Sequence, residues 1–208
     1  MSQATEFLSK EGDAWFERNR DKLAKNDVGG DLLITMIKES DIQPKSVLEI
    51  GCGTGWRLDE MRKRYGASCT GIEPSRKALE HGHKYYPQLS LYQGLAHHIR
   101  FGDNTFDLVI YGFCLYLVDP QWLFYVVAEG DRVLKDGGHL AILDFEFDED
   151  APFSVPYEHA AGLKSNHMDF SALWTAHPGY KWLNHTLGNG HEATLLRKDM
   201  SNAFPVRS

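Results

Sequence analysis

Three glycines at alternate positions follow directly on an apolar run in Val47-Leu48-Glu49-Ile50-Gly51-Cys52-Gly53-Thr54-Gly55. Such a segment is a buried strand that turns sharply beneath a ligand. Glycine reaches positive φ at no steric cost and lets the backbone approach a bound molecule with no Cβ between them. Phosphate loops and dinucleotide sites use related turns, so the spacing separates them. A dinucleotide fingerprint needs Gly-x-Gly-x-x-Gly, whereas here the third glycine is Gly55 and Trp56 follows it. The Gly-Lys-Ser/Thr ending of a phosphate loop is missing as well.

Around this turn the chain alternates. Short β-rich runs fall at 46–50, 68–73, 89–92, 106–111 and 139–145, and helical patterns fill 56–65, 75–85 and 121–134. Strands that alternate with helices form a parallel sheet covered on both faces. Ahead of them, Phe7, Leu8, Trp15, Phe16 and Leu23 at helical spacing predict a helix over 6–25, and a second over 31–39 stops before Pro44. Near the end, runs at 180–187 and 191–197 flank Gly188-Asn189-Gly190, and the Asn-Gly pair suits a type I′ hairpin.

With 208 residues, 42% hydrophobic and 25% charged, the chain has material for one full α/β domain and too little for two comfortable ones. The net charge of −7 and the lack of a Lys/Arg run argue against nucleic acid as a partner. The acidic stretch from Glu146 to Asp150 is broken by Phe147 and reads as a solvated strand exit. Cys52, Cys69 and Cys114 form no Cys-x-x-Cys pair and read as small apolar residues in a reducing compartment. The start of the chain lacks the basic and apolar regions of a signal peptide, and no apolar run approaches the ~20 residues that span a bilayer. The expectation is a cytoplasmic protein with no membrane partner.

Glu49-x-Gly51-x-Gly53-x-Gly55 at the end of a first strand resembles motif I of the class I S-adenosylmethionine-dependent methyltransferases, and the similarity extends from Val47 to Phe145. The resemblance implies an α/β, Rossmann-like seven-stranded sandwich, with a mostly parallel sheet closed by a C-terminal antiparallel hairpin. It implies S-adenosylmethionine as methyl donor and S-adenosylhomocysteine as product. Within one domain over 1–208, N-terminal helices occupy 1–45, the cofactor core 46–145, a substrate-covering segment 146–179 and the hairpin 180–198.

The resemblance also distributes the cofactor among residues. Gly51, Cys52, Gly53, Thr54 and Gly55 would pass beneath its methionine part, with Glu49 either orienting the turn or meeting the ammonium. Glu73, followed by Pro74 at the end of the second strand, would accept hydrogen bonds from both ribose hydroxyls; otherwise it is a helix-start acid stabilised by the macrodipole. On the first reading, Glu73→Ala weakens cofactor binding strongly and spares the fold. The adenine position reads Leu95-Ala96 where the family places an acid before a small residue, with Gln93 as a substitute partner. Tyr111 closes the fourth strand on the ligand edge. Arg18, in Asp13-Ala14-Trp15-Phe16-Glu17-Arg18-Asn19, either pairs the cofactor carboxylate or belongs to a helix that simply packs Trp15 and Phe16 on the sheet.

Candidates for the reaction itself are Tyr116, which falls where related enzymes carry a histidine, and His167, a general base in the covering segment. Each has an ordinary alternative, a core aromatic and a surface or core histidine. The ten histidines include no His-Glu-x-x-His helix and no Cys/His cluster with ligand spacing, so no metal is expected. The short covering segment favours as acceptor a small molecule or an exposed group on a larger one. The run Gly12-Asp13-Ala14-Trp15-Phe16-Glu17-Arg18-Asn19 and the overall size are similar to small methylases of bacterial surface-sugar pathways, which implies a sugar-type acceptor. Two rivals share parts of the pattern. A non-catalytic S-adenosylmethionine-binding regulator or scaffold would keep the glycines and Glu73. An NAD-dependent oxidoreductase would share the alternation but not the glycine spacing.

Overall fold

The computed structural model describes residues 2–24 and 30–203. Its centre is a seven-stranded sheet in the order β3-β2-β1-β4-β5-β9-β8. The strands are β1 Ser46–Ile50, β2 Ser68–Glu73, β3 Ser90–Gln93, β4 Phe106–Gly112, β5 Leu134–Phe145, β8 Tyr180–Gly188 and β9 His191–Lys198. The first five run parallel, and β9 pairs antiparallel with both β5 and β8, so the last strand is inserted beside the fifth. The seven-stranded α/β sandwich with a closing antiparallel hairpin agrees with the sequence reading.

Side-chain alternation explains why β1 and β4 carry apolar residues on both faces. Leu48, Ile50, Val109 and Tyr111 point into one core with α6 (Leu123–Val133) and α7 (Ala172–Thr175). Val47, Leu108 and Ile110 point into the other, under α3 (Leu32–Glu39), α4 (Trp56–Tyr65) and α5 (Arg76–Tyr85). A strand covered on both faces has no polar side to alternate with.

Several bounds differ from the sequence reading. The fifth strand starts at Leu134, ahead of the predicted 139, because Phe106 pairs with Leu134 before the register shifts and Leu108 takes up His139. The N-terminal helix is α1 (Gln3–Glu6), a π-helical turn (Phe7–Glu11) and α2 (Gly12–Ala24) in direct succession; Lys25 lies outside the described residues. The covering segment holds a small hairpin, β6 (Ser154–Pro156) with β7 (Lys164–Asn166), which its irregular sequence did not announce. A short α8 (Met200–Ala203) follows β9. At the closing hairpin, Asn189 and Gly190 have φ of 56° and 73°, as a type I′ turn requires. Among the described residues no helix is long and apolar enough to cross a membrane.

The N-terminal helix is tied down across the end of the sheet. Gly12 abuts the turn before α5: a Cβ there would lie 2.6 Å from the Phe7 carbonyl oxygen and 3.2 Å from the Ser75 nitrogen. Asp13 accepts from the Ser75 hydroxyl at 2.8 Å and from the Lys77 amide at 3.1 Å, serving the open N-terminus of α5 from outside that helix. Buried Gln3 donates to the carbonyls of Leu117 and Lys164 and accepts from the Lys164 amide, joining α1 to the loop after β4 and to the small hairpin.

Candidate active site

A cavity of about 700 Å³ opens where β1, β2 and β4 end, at the carboxyl edge of the sheet where open α/β folds bind ligands. Its floor is the glycine turn. Gly51, Cys52 and Gly53 line it, while Thr54 and Gly55 are buried behind. Gly51 has φ +73°, and a Cβ there would stand 2.6 Å from the Cys114 Cβ, so the turn tolerates no side chain at that position. Gly53 has φ +54° and an added Cβ would meet nothing within 4 Å, which leaves room above the backbone for a ligand. Gly53→Ala is expected to lower stability by about 1–2 kcal/mol through its left-handed φ and to weaken ligand binding by projecting a methyl group into that space. Thermal melts and calorimetry check the two effects separately.

Glu73 lines one wall of the cavity. It is buried, its Oε2 accepts from the Gly53 amide at 2.8 Å and its Oε1 from the Ser75 amide at 2.9 Å. Burial pushes its carboxyl up to about 7, against the two backbone donors that lower it. These bonds correct the expectation that alanine here spares the fold, since the change would strand two backbone N–H groups.

Glu49 stands apart from the cavity lining. Fully buried, it is held by Arg57, which also bonds Asp31, the residue capping α3, at 2.8 Å. Burial raises the Glu49 carboxyl to about 7 even with Arg57 beside it. Gly112 makes the ion pair possible, because a Cβ there would lie 2.6 Å from the guanidinium. Arg57 takes Glu49 Oε1, while the buried Oε2 has no hydrogen-bond partner among the described residues. Arg57, which lines the cavity, was missed; its only sequence signal was a basic residue opening a helix directly after the turn.

The adenine position brings Leu95, Ala96 and His97 to the wall beside Pro74. Gln93 does not join them. Its exposed amide accepts from Arg76 at 3.2 Å and donates to the Pro74 carbonyl at 2.9 Å, on the outer side. His97 stacks on Trp122 at 4.6 Å with 14° between the planes.

Two further candidates sit elsewhere than expected. Tyr111 lies in the core, its hydroxyl donating to the Val126 carbonyl at 3.1 Å and its ring packed against Trp174, because alternation along β4 turns it toward α6. Arg18 lies toward the surface and bonds Glu11 and the Tyr157 hydroxyl, fastening the N-terminal helix to the covering segment rather than facing the cavity.

Tyr116 and His167 do line the cavity, together with Trp15, Phe145 and Tyr157. Burial raises the Tyr116 phenol well above its usual range. Buried Asp144 at the end of β5 accepts from the backbone amides of Tyr116 and Phe145, and burial raises its carboxyl to about 7. Among the described residues no group of three His, Cys, Asp or Glu side chains is placed to hold a metal ion.

A family model described as a methyltransferase domain matches residues 47–138. An uncharacterised methyltransferase of Synechocystis is 32% identical over 145 residues, which cover 68% of each chain. Demethylmenaquinone methyltransferase of Chlorobaculum parvum is 33% identical over 106 residues, 51% of this chain and 43% of that enzyme, so the chain spans under half the length of that relative. The PH0226 protein of Pyrococcus horikoshii superposes with a TM-score of 0.66 over 92% of both chains at 19% identity. An S-adenosylmethionine-bound amino pentose methyltransferase of Micromonospora echinaspora does so at 0.63, over 79% of this chain and 87% of that one, at 18% identity. These structures share the fold. With the glycine turn, the strand order and the Synechocystis relative together, the chain belongs to the class I S-adenosylmethionine-dependent methyltransferases.

Proposed function

We propose that this cavity binds S-adenosylmethionine and that the protein transfers its methyl group to a small-molecule acceptor. The observation that carries the reading is the bond from the Gly53 amide to Glu73 Oε2, which joins the glycine turn and the acid at one wall of the cavity. In this reading Glu73 holds the ribose hydroxyls with its remaining lone pairs, Gly51 to Gly53 run beneath the methionine part, and Pro74, Leu95 and Ala96 flank the adenine. The open space above Gly53 and a volume within the span of about 300–1,000 Å³ usual for ligand pockets support the fit. When bound, the cofactor supplies a methyl group already activated on a sulfonium. The chain's own residues then bring the acceptor into line and exclude water. Tyr116 orients the acceptor, the aromatic walls strip its solvent, and a ring nitrogen of His167 takes the proton the acceptor gives up.

Incubation with S-adenosylmethionine labelled in the methyl group and a small-molecule extract should yield labelled, dialysable product and S-adenosylhomocysteine. Label found on macromolecules alone would overturn the small-molecule acceptor, and no turnover with either would favour a binding protein without catalysis.

The pH dependence tests the ribose assignment. Burial holds the Glu73 carboxyl near 7, and hydroxyl donors bond its ionised form best, so binding displaces a proton. Affinity for S-adenosylhomocysteine should therefore rise from pH 6 to pH 8 and level off above. Calorimetry in buffers of different ionisation enthalpy should register the proton released near pH 6.5; a flat affinity with no release removes Glu73 from the ribose.

A further inference from the structure

The segment after β3 brings Gly94, Leu95, Ala96 and His97 to the cavity, and of these His97 alone has a polar side chain. The segment is held at both ends. The Gly94 amide donates to the Glu73 carbonyl at 3.1 Å, and the His98 amide to the Leu95 carbonyl at 3.2 Å, closing a turn that carries His97. Beyond it, the Ile99 amide donates to Glu129 Oε2 at 2.6 Å and Arg132 donates to the Ile99 carbonyl at 2.8 Å. The imidazole lies almost parallel to the Trp122 indole, so one face is covered, and its edge and other face are what the cavity can meet.

Among the described residues no group hydrogen-bonds the ring nitrogens of His97. Desolvation and the neighbouring His98 hold the imidazole below its usual titration range, with Asp119 opposing them. At pH 7 and above the ring is neutral, and one of its nitrogens is an acceptor.

Adenine has a use for that acceptor. Its amino group gives up water on entering such a site, which costs free energy unless a new bond is made. Leu95 and Ala96 carry no side-chain acceptor, and Gln93 is turned to the outer side. The carbonyls of Leu95, Leu117 and Val118 already accept from His98, Gln3 and Asn166. Asp119, which also lines the cavity, already accepts from the Ala4 amide at 3.3 Å.

From this geometry we infer that a bare ring nitrogen of His97 accepts a hydrogen bond from the amino group of the cofactor's adenine, in place of the carboxylate that the sequence resemblance puts at Leu95. The stack on Trp122 restrains the imidazole plane, and the turn from Leu95 to His98 fixes its root. His97 is then the residue that separates adenine from a purine without the amino group.

The inference rests on the cofactor reading above, so the test begins with calorimetry of S-adenosylhomocysteine on the full chain at pH 8, where the imidazole is neutral. The second ligand is its 6-deamino analogue, in which purine replaces adenine and nothing else changes. The native protein should bind S-adenosylhomocysteine about tenfold more tightly than the analogue, the effect of one well-formed hydrogen bond. His97→Phe keeps a flat ring against Trp122 and removes the acceptor, so the ratio of the two affinities should fall to about one. The analogue itself should bind the native and His97→Phe proteins alike, which shows that the site is intact in the variant. A merely structural loss would weaken both ligands together and leave the ratio at about ten. Asp119→Asn should leave the ratio unchanged. Equal binding of the two ligands by the native protein, a ratio kept in His97→Phe, or a ratio lost in Asp119→Asn overturns the inference. Failure of the native protein to bind S-adenosylhomocysteine removes the cofactor reading and this one with it, whereas binding without preference for the amino group removes this one alone.

Discussion

Replacing Glu73 with alanine is expected to weaken S-adenosylhomocysteine binding by at least about a hundredfold, because hydrogen bonds to a charged group contribute about 1.5–3 kcal/mol each and the ribose offers two. The variant should also melt lower. Its truncated side chain leaves the Gly53 and Ser75 amides without the acceptors they have in the native protein, and each buried orphan costs about 1–3 kcal/mol. Part of that loss is offset near neutral pH, since the native carboxyl is itself held at about 7 by burial and carries an unfavourable desolvation. Circular dichroism establishes the folded fraction and calorimetry on that fraction reads the affinity. An affinity equal to that of the native chain would remove Glu73 from the cofactor site, whatever happened to stability.

The largest effect on stability is expected from Arg57→Leu. The guanidinium is buried between Glu49 and Asp31, both buried themselves. Breaking such an arrangement by removing one partner costs about 3–5 kcal/mol, a large part of the roughly 5–15 kcal/mol that holds a domain together. The pH response identifies the cause. Without the cation, the Glu49 carboxyl, already raised to about 7, rises further. A carboxyl raised above its unfolded value favours the folded state below about 4.5 and loses that contribution as pH climbs through the folded value. Arg57→Leu should therefore recover part of its lost stability at pH 6 relative to pH 8, and adding Glu49→Gln should flatten the difference. Urea unfolding at the two pH values checks both. A loss independent of pH and unaffected by Glu49→Gln would mean that Arg57 acts by packing alone.

These two residues show how far the sequence could be read. The position of Glu73 was legible because it follows from topology: an acid closing the second strand of an alternating fold stands at the carboxyl edge, beside the turn that closes the first. Glu49 was legible as a residue of the turn, but its partner was not. Arg57 and Asp31 are 26 residues apart, and no local pattern reports that a helix cap and a strand residue will share one guanidinium between them. Gln93 misled because a side chain near the right position has several directions open to it, and Arg76 and the Pro74 carbonyl offered bonds on the outer side. Tyr111 misled for a related reason. Period-2 alternation assigns neighbours to opposite faces but does not name the face, and here the ring found its place against Trp174, where Gly130 has no side chain to obstruct it.

The amino-acid sequence by itself determined the alternation of strands and helices, the C-terminal hairpin and the glycine turn. Each of these follows from local periodicity, turn chemistry or a short motif whose residues act on one another within a few positions. Tertiary structure alone decided what covers that turn. The N-terminal helix, the loop after β4, the end of β5 and the hairpin of β6 and β7 converge from distant parts of the chain to set Trp15, Tyr116, Phe145, Tyr157 and His167 around one cavity. Their meeting depends on packing and on hydrogen bonds such as those of Gln3 and Asn166, which join segments more than 40 residues apart and leave no periodic trace in the sequence.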